Sequence, residues 1–353
     1  MNMNDLDNFK QIDQSNMIGA INDLPDQLQR AWSLGQELAL PKSKSIQRVI
    51  ISGMGGSAIG ADLLSAYVKP HLKIPLFVHR GYDLPAWAAG PETLVICCSH
   101  SGNTEETLSS FEGAQKNKAE ILAITTGGKL AEAAEANKHT VWHFDHQGQP
   151  RTAVGYSFGL LLALFARLNF LADPSAELES AVAAMQRQQE KLLPDIPDTK
   201  NSAKRMGGQF MGRWVTIFGA EIMAPVAQRW KAQLNENAKS QASFEVLPEA
   251  DHNTIQGVVQ PEDEFRATMN IFLQSSLNHP RNQLRTEKTR VAIMLEGQNT
   301  DSLRGRGPSR LAHMWTALHY GDYSSYYLAM GYQIDPTPVP MLVELKNSLS
   351  KEK

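Results

Sequence analysis

At 353 residues the chain exceeds one ordinary hydrophobic core and has the length of about two domains. A formal net charge of −3 without a lysine- and arginine-rich run argues against a nucleic-acid surface, and no apolar stretch approaches the length of a membrane span. The only cysteines, Cys97 and Cys98, are adjacent, too few for a disulfide framework and wrongly spaced for a metal knuckle, so a reducing cytoplasm is the expected compartment.

The first fourteen residues are polar and carry Asp5 and Asp7, which fits neither a signal nor a transit peptide. A helical arm is predicted over 17–40, closing an N-terminal segment of residues 1–40. Strand 48–52, helix 58–68, strand 74–79, strand 94–98, helix 105–117, strand 121–125, helix 130–136 and strand 141–144 follow. That alternation predicts a doubly wound parallel sheet, placed at residues 41–155. Helices over 156–171 and 177–193, separated by Asp173-Pro174, lead to a proline-broken stretch from Pro194 to Pro197, so residues 156–200 are expected to connect two domains. The pattern then restarts with strand 214–218, the turn Gly219-Ala220-Glu221 and helix 224–234. Further strands are predicted at 268–273 and 290–295. A long amphipathic helix over 309–330, the segment Asp335-Pro-Thr-Pro-Val339 and a short terminal helix complete a second domain, residues 201–353. The expected class is α/β, two doubly wound domains, each a mainly parallel sheet flanked by helices.

Two loops carry the chemistry. Ser99-His-Ser101-Gly-Asn-Thr104-Glu-Glu-Thr107 follows the apolar strand 94–98 and brings three hydroxyls into six positions. The helix after it points unpaired N–H groups and its positive dipole end back at them, which suits a small phosphorylated ligand. Gly53-Met-Gly55-Gly56-Ser57-Ala-Ile-Gly60 follows the first strand and opens a helix, matching G-x-G-x-x-A on spacing. Taken alone, that loop fits a dinucleotide pyrophosphate, a second arm of one phosphosugar grip, or a plain strand-to-helix turn. The dinucleotide reading lacks an acid at the end of the next strand, where Arg80 stands, although an arginine there suits a 2′-phosphate.

With both loops in hand, the chain resembles the sugar isomerase (SIS) domain family. Pro150-Arg151, Asn235-Glu236-Asn237, His252-Asn253, Asp335-Pro-Thr-Pro-Val-Pro and Glu344-Leu-Lys346 extend the resemblance, in order, to the bifunctional phosphoglucose/phosphomannose isomerases, from about Val49 to Lys346. The resemblance implies two SIS domains, a homodimer, a phosphorylated hexose substrate and no cofactor or metal. It implies reversible interconversion of glucose 6-phosphate or mannose 6-phosphate with fructose 6-phosphate. Gly55, Gly56, Ser57, Ser99, Ser101 and Thr104 would hold the phosphate and Glu236 would be the base. His252, supplied by the neighbouring subunit, would open the ring, and Arg151 and Lys346 would contact the reacting end. A non-catalytic phosphosugar-binding regulator is the alternative within the same fold.

The chemistry needs such groups. Moving a proton between C1 and C2 through a cis-enediol takes one base that reaches both carbons, and a carboxylate suits it. Opening a hexose ring takes a group that both gives and takes a proton, which an imidazole does near neutrality. Negative charge on the enediolate oxygens calls for a fixed cation such as Arg151. The relatives usually carry Asn before the histidine, Glu two residues after it and an aromatic between the two serines; this chain has Asp251, Thr254 and His100. Asp251, if it reached the imidazole, would favour the charged ring. Thr337 is a candidate for the small residue that allows rotation about C2–C3. His143 and His146 flanking Asp145 fall short of a metal site. Arg304-Gly-Arg306-Gly307-Pro308 fits a solvated connection, and Trp315, Tyr320, Tyr323, Tyr326 and Tyr327 fit a core or dimer surface.

Overall fold

The computed structural model describes residues 2–43 and 45–352, so the outermost expected limits, 1 and 353, lie outside it. Three helices open the chain, α1 (Leu6–Ile12), α2 (Met17–Asn22) and α3 (Leu24–Glu37). The first sheet and its helices follow as β1 (Arg48–Ser52), α4 (Gly55–Val68), β2 (Leu76–His79), β3 (Thr93–Ser99), α5 (Glu105–Lys116), β4 (Glu120–Thr125), α6 (Gly128–Ala136) and β5 (Thr140–His143). After α7 (Val154–Arg167), α8 (Ser175–Gln189) and α9 (Ser202–Phe210) come β6 (Trp214–Ala220), α10 (Ala224–Ala238), β7 (Ala242–Leu247), β8 (Thr268–Gln274), α11 (Pro280–Leu295) and β9 (Thr300–Arg304). The chain ends in α12 (Arg310–Tyr332) and α13 (Pro340–Leu349). Among the described residues no helix is long and apolar enough to cross a membrane.

The chain divides into two compact units. The first comprises Asp23–Met185 with Arg306–Trp315; the second takes the residues up to Asn22, Gln186–Gly305 and those from Thr316 onward. The boundaries therefore fall after α2, inside α8, just after β9 and inside α12.

The first unit is built on a five-stranded parallel sheet in the order β2-β1-β3-β4-β5. All seven residues of β3 are buried, as a central parallel strand covered on both faces requires. α7 packs on α3 through small residues: a Cβ on Gly159 would lie 2.7 Å from the Ala31 Cβ, and one on Gly35 2.5 Å from the Ala163 Cβ. Backbones that close fix where α7 begins, and a short 3₁₀ turn, Pro150–Ala153, leads directly into it.

The second unit carries a four-stranded parallel sheet, β7-β6-β8-β9, which repeats the order of the first sheet from its edge inward. Phe218 and Phe272, stacked at 4.5 Å, lie at its centre beside Leu247, Ala250 and Ile293. Trp315, Tyr320, Tyr323, Tyr326 and Tyr327 are all buried, so the aromatic series of α12 is core.

Several sequence expectations change. Residues 290–295 are the end of α11, not a strand; Pro280 stands at its first turn after the His279 cap, and Thr286, Thr289 and Ile293 form its buried stripe. β7 and β9 are strands that the sequence reading passed over, as are helices α1 and α9. The arm 17–40 is two helices broken at Asp23, with Pro25 in the first turn of α3.

Candidate active site

The carboxyl edge of the first sheet gathers four loops. After β1, Gly55 takes φ +51°, a left-handed conformation that opens α4 and that glycine adopts without strain. A Cβ on Gly56 would lie 2.5 Å from the Pro150 carbonyl oxygen and 3.2 Å from the Arg151 nitrogen, so this loop rests directly on the Arg151 turn. After β3, Gly102 (φ +69°) nests so closely under the β4 loop that a Cβ would meet the Gly127 oxygen at 1.8 Å. The Leu130 amide donates to the Gly102 carbonyl at 2.9 Å, and the Lys129 amide to Asn103 Oδ1 at 3.2 Å.

Within the hydroxyl loop, buried Ser99 shares a 2.9 Å hydrogen bond with Thr104, and the Ser101 hydroxyl accepts from the Asn103 amide at 3.3 Å. Neither Thr104, which caps α5, nor Met54, which caps α4, accepts a first-turn amide with its side chain. Both helices thus present N–H groups that their own caps leave untaken, and both begin at the same sheet edge. Such paired helix starts, with hydroxyls between them, can hold an anion without a lysine or arginine. Glu105 and Glu106 in the first turn of α5 oppose an anion there, and the Tyr82 hydroxyl donates to Glu105 at 3.1 Å.

Arg151 is 3% exposed and donates to Gln149 Oε1 at 3.4 Å. Its turn is clamped by a residue that sequence reasoning missed. Buried Gln27, on α3, donates from Nε2 to the Thr152 carbonyl at 2.9 Å and accepts the Gly155 amide at 2.8 Å on Oε1. Its only sequence signal is a glutamine on the apolar face of a helix. His100 has a partner too: its Nε2 lies 2.9 Å from His146 Nδ1. His143 pairs with Glu135 instead, and among the described residues no group of three or more histidines, cysteines or acids is arranged to hold a metal. Arg80, which the dinucleotide reading needed for a 2′-phosphate, is engaged by both carboxylate oxygens of Asp62.

The equivalent edge of the second sheet is filled from within. β6 and β8 correspond to β1 and β3 in the sheet order, so the turn after β6 and the loop after β8 are the counterparts of the two loops above. Glu221, at φ +50°, stands where glycine opens the first unit's turn. Its Oε1 accepts the His279 amide at 2.7 Å and the Asn282 side chain at 2.8 Å, at the start of α11. His279 Nδ1 then accepts the Arg281 amide at 3.1 Å. A carboxylate therefore sits where an incoming anion would meet this helix. A non-glycine residue in left-handed backbone costs about 1–2 kcal/mol, which the two charge-assisted hydrogen bonds offset.

The second unit presents the other expected groups. Glu236, in the last turn of α10, lines a cavity of about 520 Å³ with Lys239, Gln241 and the start of α13 at Pro340–Leu342. Lys239 caps α10 in left-handed backbone, and its ammonium donates to the Asp335 and Pro336 carbonyls at 2.7 and 3.1 Å. This ties the Asn235-Glu236-Asn237 and Asp335-Pro-Thr-Pro segments together. Thr337 lies within that tie, its amide on Asp335 Oδ1 at 2.9 Å. Lys346 is exposed on α13, one turn beyond Leu342 on the same face.

His252 is exposed on the 3₁₀ turn after β7, whereas Glu236 precedes β7 at its opposite end. Six residues of strand, at about 3.3 Å each, span roughly 20 Å, so Glu236 and His252 lie toward opposite ends of β7. Asp251 does not serve His252, because its carboxylate is bound by Arg285 at 2.9 Å and Thr289 at 2.7 Å, both on α11.

Comparison with known proteins accounts for both halves. The SIS domain model matches residues 43–186, and the model of the bacterial phospho-glucose isomerase C-terminal SIS domain matches residues 199–349. A bifunctional phosphoglucose/phosphomannose isomerase of Caldicellulosiruptor bescii is 40% identical over 339 residues, covering 96% of this chain and 100% of that protein. The chain belongs to the bifunctional phosphoglucose/phosphomannose isomerase family. Another protein of that name, from Aquifex aeolicus, is 34% identical over 86% of this chain and 90% of its own length. In fold, the chain is similar to a glucose-6-phosphate isomerase like protein from Thermus thermophilus, with a TM-score of 0.64, 16% identity and coverage of 97% of this chain and 99% of that one.

Proposed function

We propose that the protein is a cytoplasmic aldose-ketose isomerase that interconverts glucose 6-phosphate and mannose 6-phosphate with fructose 6-phosphate through a cis-enediol. Family membership at 40% identity across nearly the whole chain supports the reaction. The observation that carries the site assignment is the contrast between the two sheet edges, one with helix starts open to an anion and the other filled by Glu221. Gly55, Gly56, Ser57, Ser99, Ser101 and Thr104 hold the phosphate through amides and hydroxyls. Glu236 moves the proton between C1 and C2, Arg151 stabilises the charge on the enediolate oxygens, and Lys346 contacts the same end of the substrate. His252 moves the proton between the ring oxygen and O1.

The active unit is a homodimer in which His252 serves the neighbouring subunit. The separation of Glu236 and His252 along β7 favours that arrangement, as does the apolar surface of α13, where Met341 is 83% and Leu345 57% exposed in the single chain. A coupled assay with fructose 6-phosphate, scoring glucose 6-phosphate and mannose 6-phosphate separately, tests the reaction; turnover to neither aldose contradicts it. Mixing Glu236→Gln and His252→Ala chains tests the shared site. Verified mixed dimers recover activity if the two groups come from different chains, and stay inactive if they do not.

A further inference from the structure

The hydroxyl loop and the Arg151 turn lie on different elements, yet a chain of side-chain hydrogen bonds joins them. His100 Nε2 lies 2.9 Å from His146 Nδ1, His146 Nε2 lies 3.3 Å from Thr152 Oγ1, and Thr152 Oγ1 lies 2.8 Å from the Gln149 carbonyl oxygen. A carbonyl oxygen only accepts, so the single hydroxyl proton of Thr152 goes to Gln149. His146 must then donate from Nε2 to the threonine oxygen, which leaves its Nδ1 as an acceptor. His100 in turn donates from Nε2. Every bond runs in one direction, from the serine loop to the residue beside Arg151, and all are made with both rings neutral.

The surroundings hold this chain in place. The His100 carbonyl accepts the Thr126 amide at 3.1 Å and the Thr126 hydroxyl at 2.7 Å, which fixes its backbone to the end of β4. Phe144 packs edge-on to the His100 ring, and Tyr156 edge-on to that of His146. Gly148, at φ +138°, leaves room where a Cβ would come within 3.3 Å of Thr152 Oγ1 and 3.4 Å of His146 Cε1. Burial lowers the pKa of both imidazoles, that of His100 to about 4, and the neighbouring His146 acts on His100 in the same direction. Asp23 and Asp145 favour a charged His146 and Arg30 disfavours it, but burial outweighs them.

We propose that His100 and His146 are positioning residues that register the enediolate-facing Arg151 against the phosphate-holding Ser99–Thr104 loop through this one-directional chain. The phosphate of a hexose 6-phosphate is several bonds from the nearest reacting carbon, so the spacing between the two grips decides whether bound substrate is aligned for proton transfer. Misplacement of about 1 Å costs on the order of a hundredfold in rate. The assignment depends on the isomerase reading above, and one arm of its test is independent of turnover.

That arm is nitrogen-15 NMR of histidine-labelled full-length protein at pH 7. Neutral rings protonated on Nε2 are expected for both His100 and His146, and a charged ring or an Nδ1-protonated His146 overturns the proposal. The kinetic arm compares His146→Phe, His146→Gln and His100→Tyr with the unaltered enzyme. His146→Phe lowers kcat by on the order of tenfold or more while KM moves little, because the phosphate loop is intact. His146→Gln, which keeps an acceptor and a donor, and His100→Tyr, which keeps the donor to His146, restore most of kcat. Equal losses in all three variants, or an unchanged kcat in a folded His146→Phe enzyme, overturn the proposal. Absence of turnover in the unaltered enzyme, with the expected tautomers present, instead removes the isomerase reading.

Discussion

Gly55 and Gly56 are neighbours that resist alanine for different reasons, and the difference separates phosphate binding from catalysis. Around Gly55 there is open space within 4 Å, so Gly55→Ala costs only the left-handed backbone at φ +51°, about 1–2 kcal/mol. Its kinetic effect should fall on KM, since this residue opens the helix proposed to face the phosphate. Gly56 has ordinary backbone, but its Cβ would stand 2.5 Å from the Pro150 oxygen, where ordinary contact begins at 3.4 Å. Relief therefore takes a shift of about 0.9 Å, the difference between those two distances, and the Arg151 turn must supply it. Overpacking of this kind costs about 1–3 kcal/mol, and a displacement near 1 Å at a catalytic group costs roughly a hundredfold in rate. Urea unfolding with fructose 6-phosphate kinetics reads both quantities. Gly56→Ala should lose kcat as well as stability, whereas Gly55→Ala should lose stability and affinity with a much smaller change in kcat. A Gly56→Ala enzyme with unaltered kcat would refute the coupling of this loop to Arg151.

Buried charge and its avoidance govern two other properties. His319 is fully buried on α12, its Nε2 donates to the Ile21 carbonyl at 2.8 Å, and burial pushes it down to about 4. An unfolded imidazole titrates near 6.5, so between those values the unfolded chain binds more protons. The stability that His319 contributes is therefore complete above about pH 6.5 and falls by about 3 kcal/mol as pH drops toward 4. The urea midpoint should decline over that window, and less steeply in His319→Gln; parallel declines would contradict the assignment. With Glu221 filling the second sheet edge, equilibrium dialysis of the unaltered protein should give one bound fructose 6-phosphate per chain, with Glu221→Gly gaining an extra site for inorganic phosphate. Two phosphosugars per unaltered chain would contradict the closed second edge.

What the sequence discloses is set by how local each signal is. β3 and its loop are legible because a buried parallel strand is a continuous apolar run, and the hydroxyls that follow lie within six residues. β9, Thr-Asp-Ser-Leu-Arg, is an edge strand without an apolar run, so it leaves little pattern to find. The run Val291–Leu295 imitates a strand because five apolar residues have no period; only Pro280, eleven residues earlier, marks the helix. The roles of His100 and Gln27 are illegible for another reason. Each is decided by a partner far along the chain, His146 for the first and Thr152 with Gly155 for the second. The pairing of Asp251 with Arg285 and Thr289 is equally non-local, and it engages the carboxylate that adjacency in sequence offered to His252.

The central claim is that Glu236 carries a proton between C1 and C2 of a hexose phosphate. The most direct measurement is conversion of fructose 6-phosphate in deuterium oxide, followed by proton NMR, with the unaltered protein and with Glu236→Gln. The unaltered protein should form both glucose 6-phosphate and mannose 6-phosphate, with deuterium at C2 in those turnovers in which the proton held by Glu236 exchanges with solvent before delivery, and Glu236→Gln should form neither at a comparable rate. Undiminished turnover by Glu236→Gln would contradict the account.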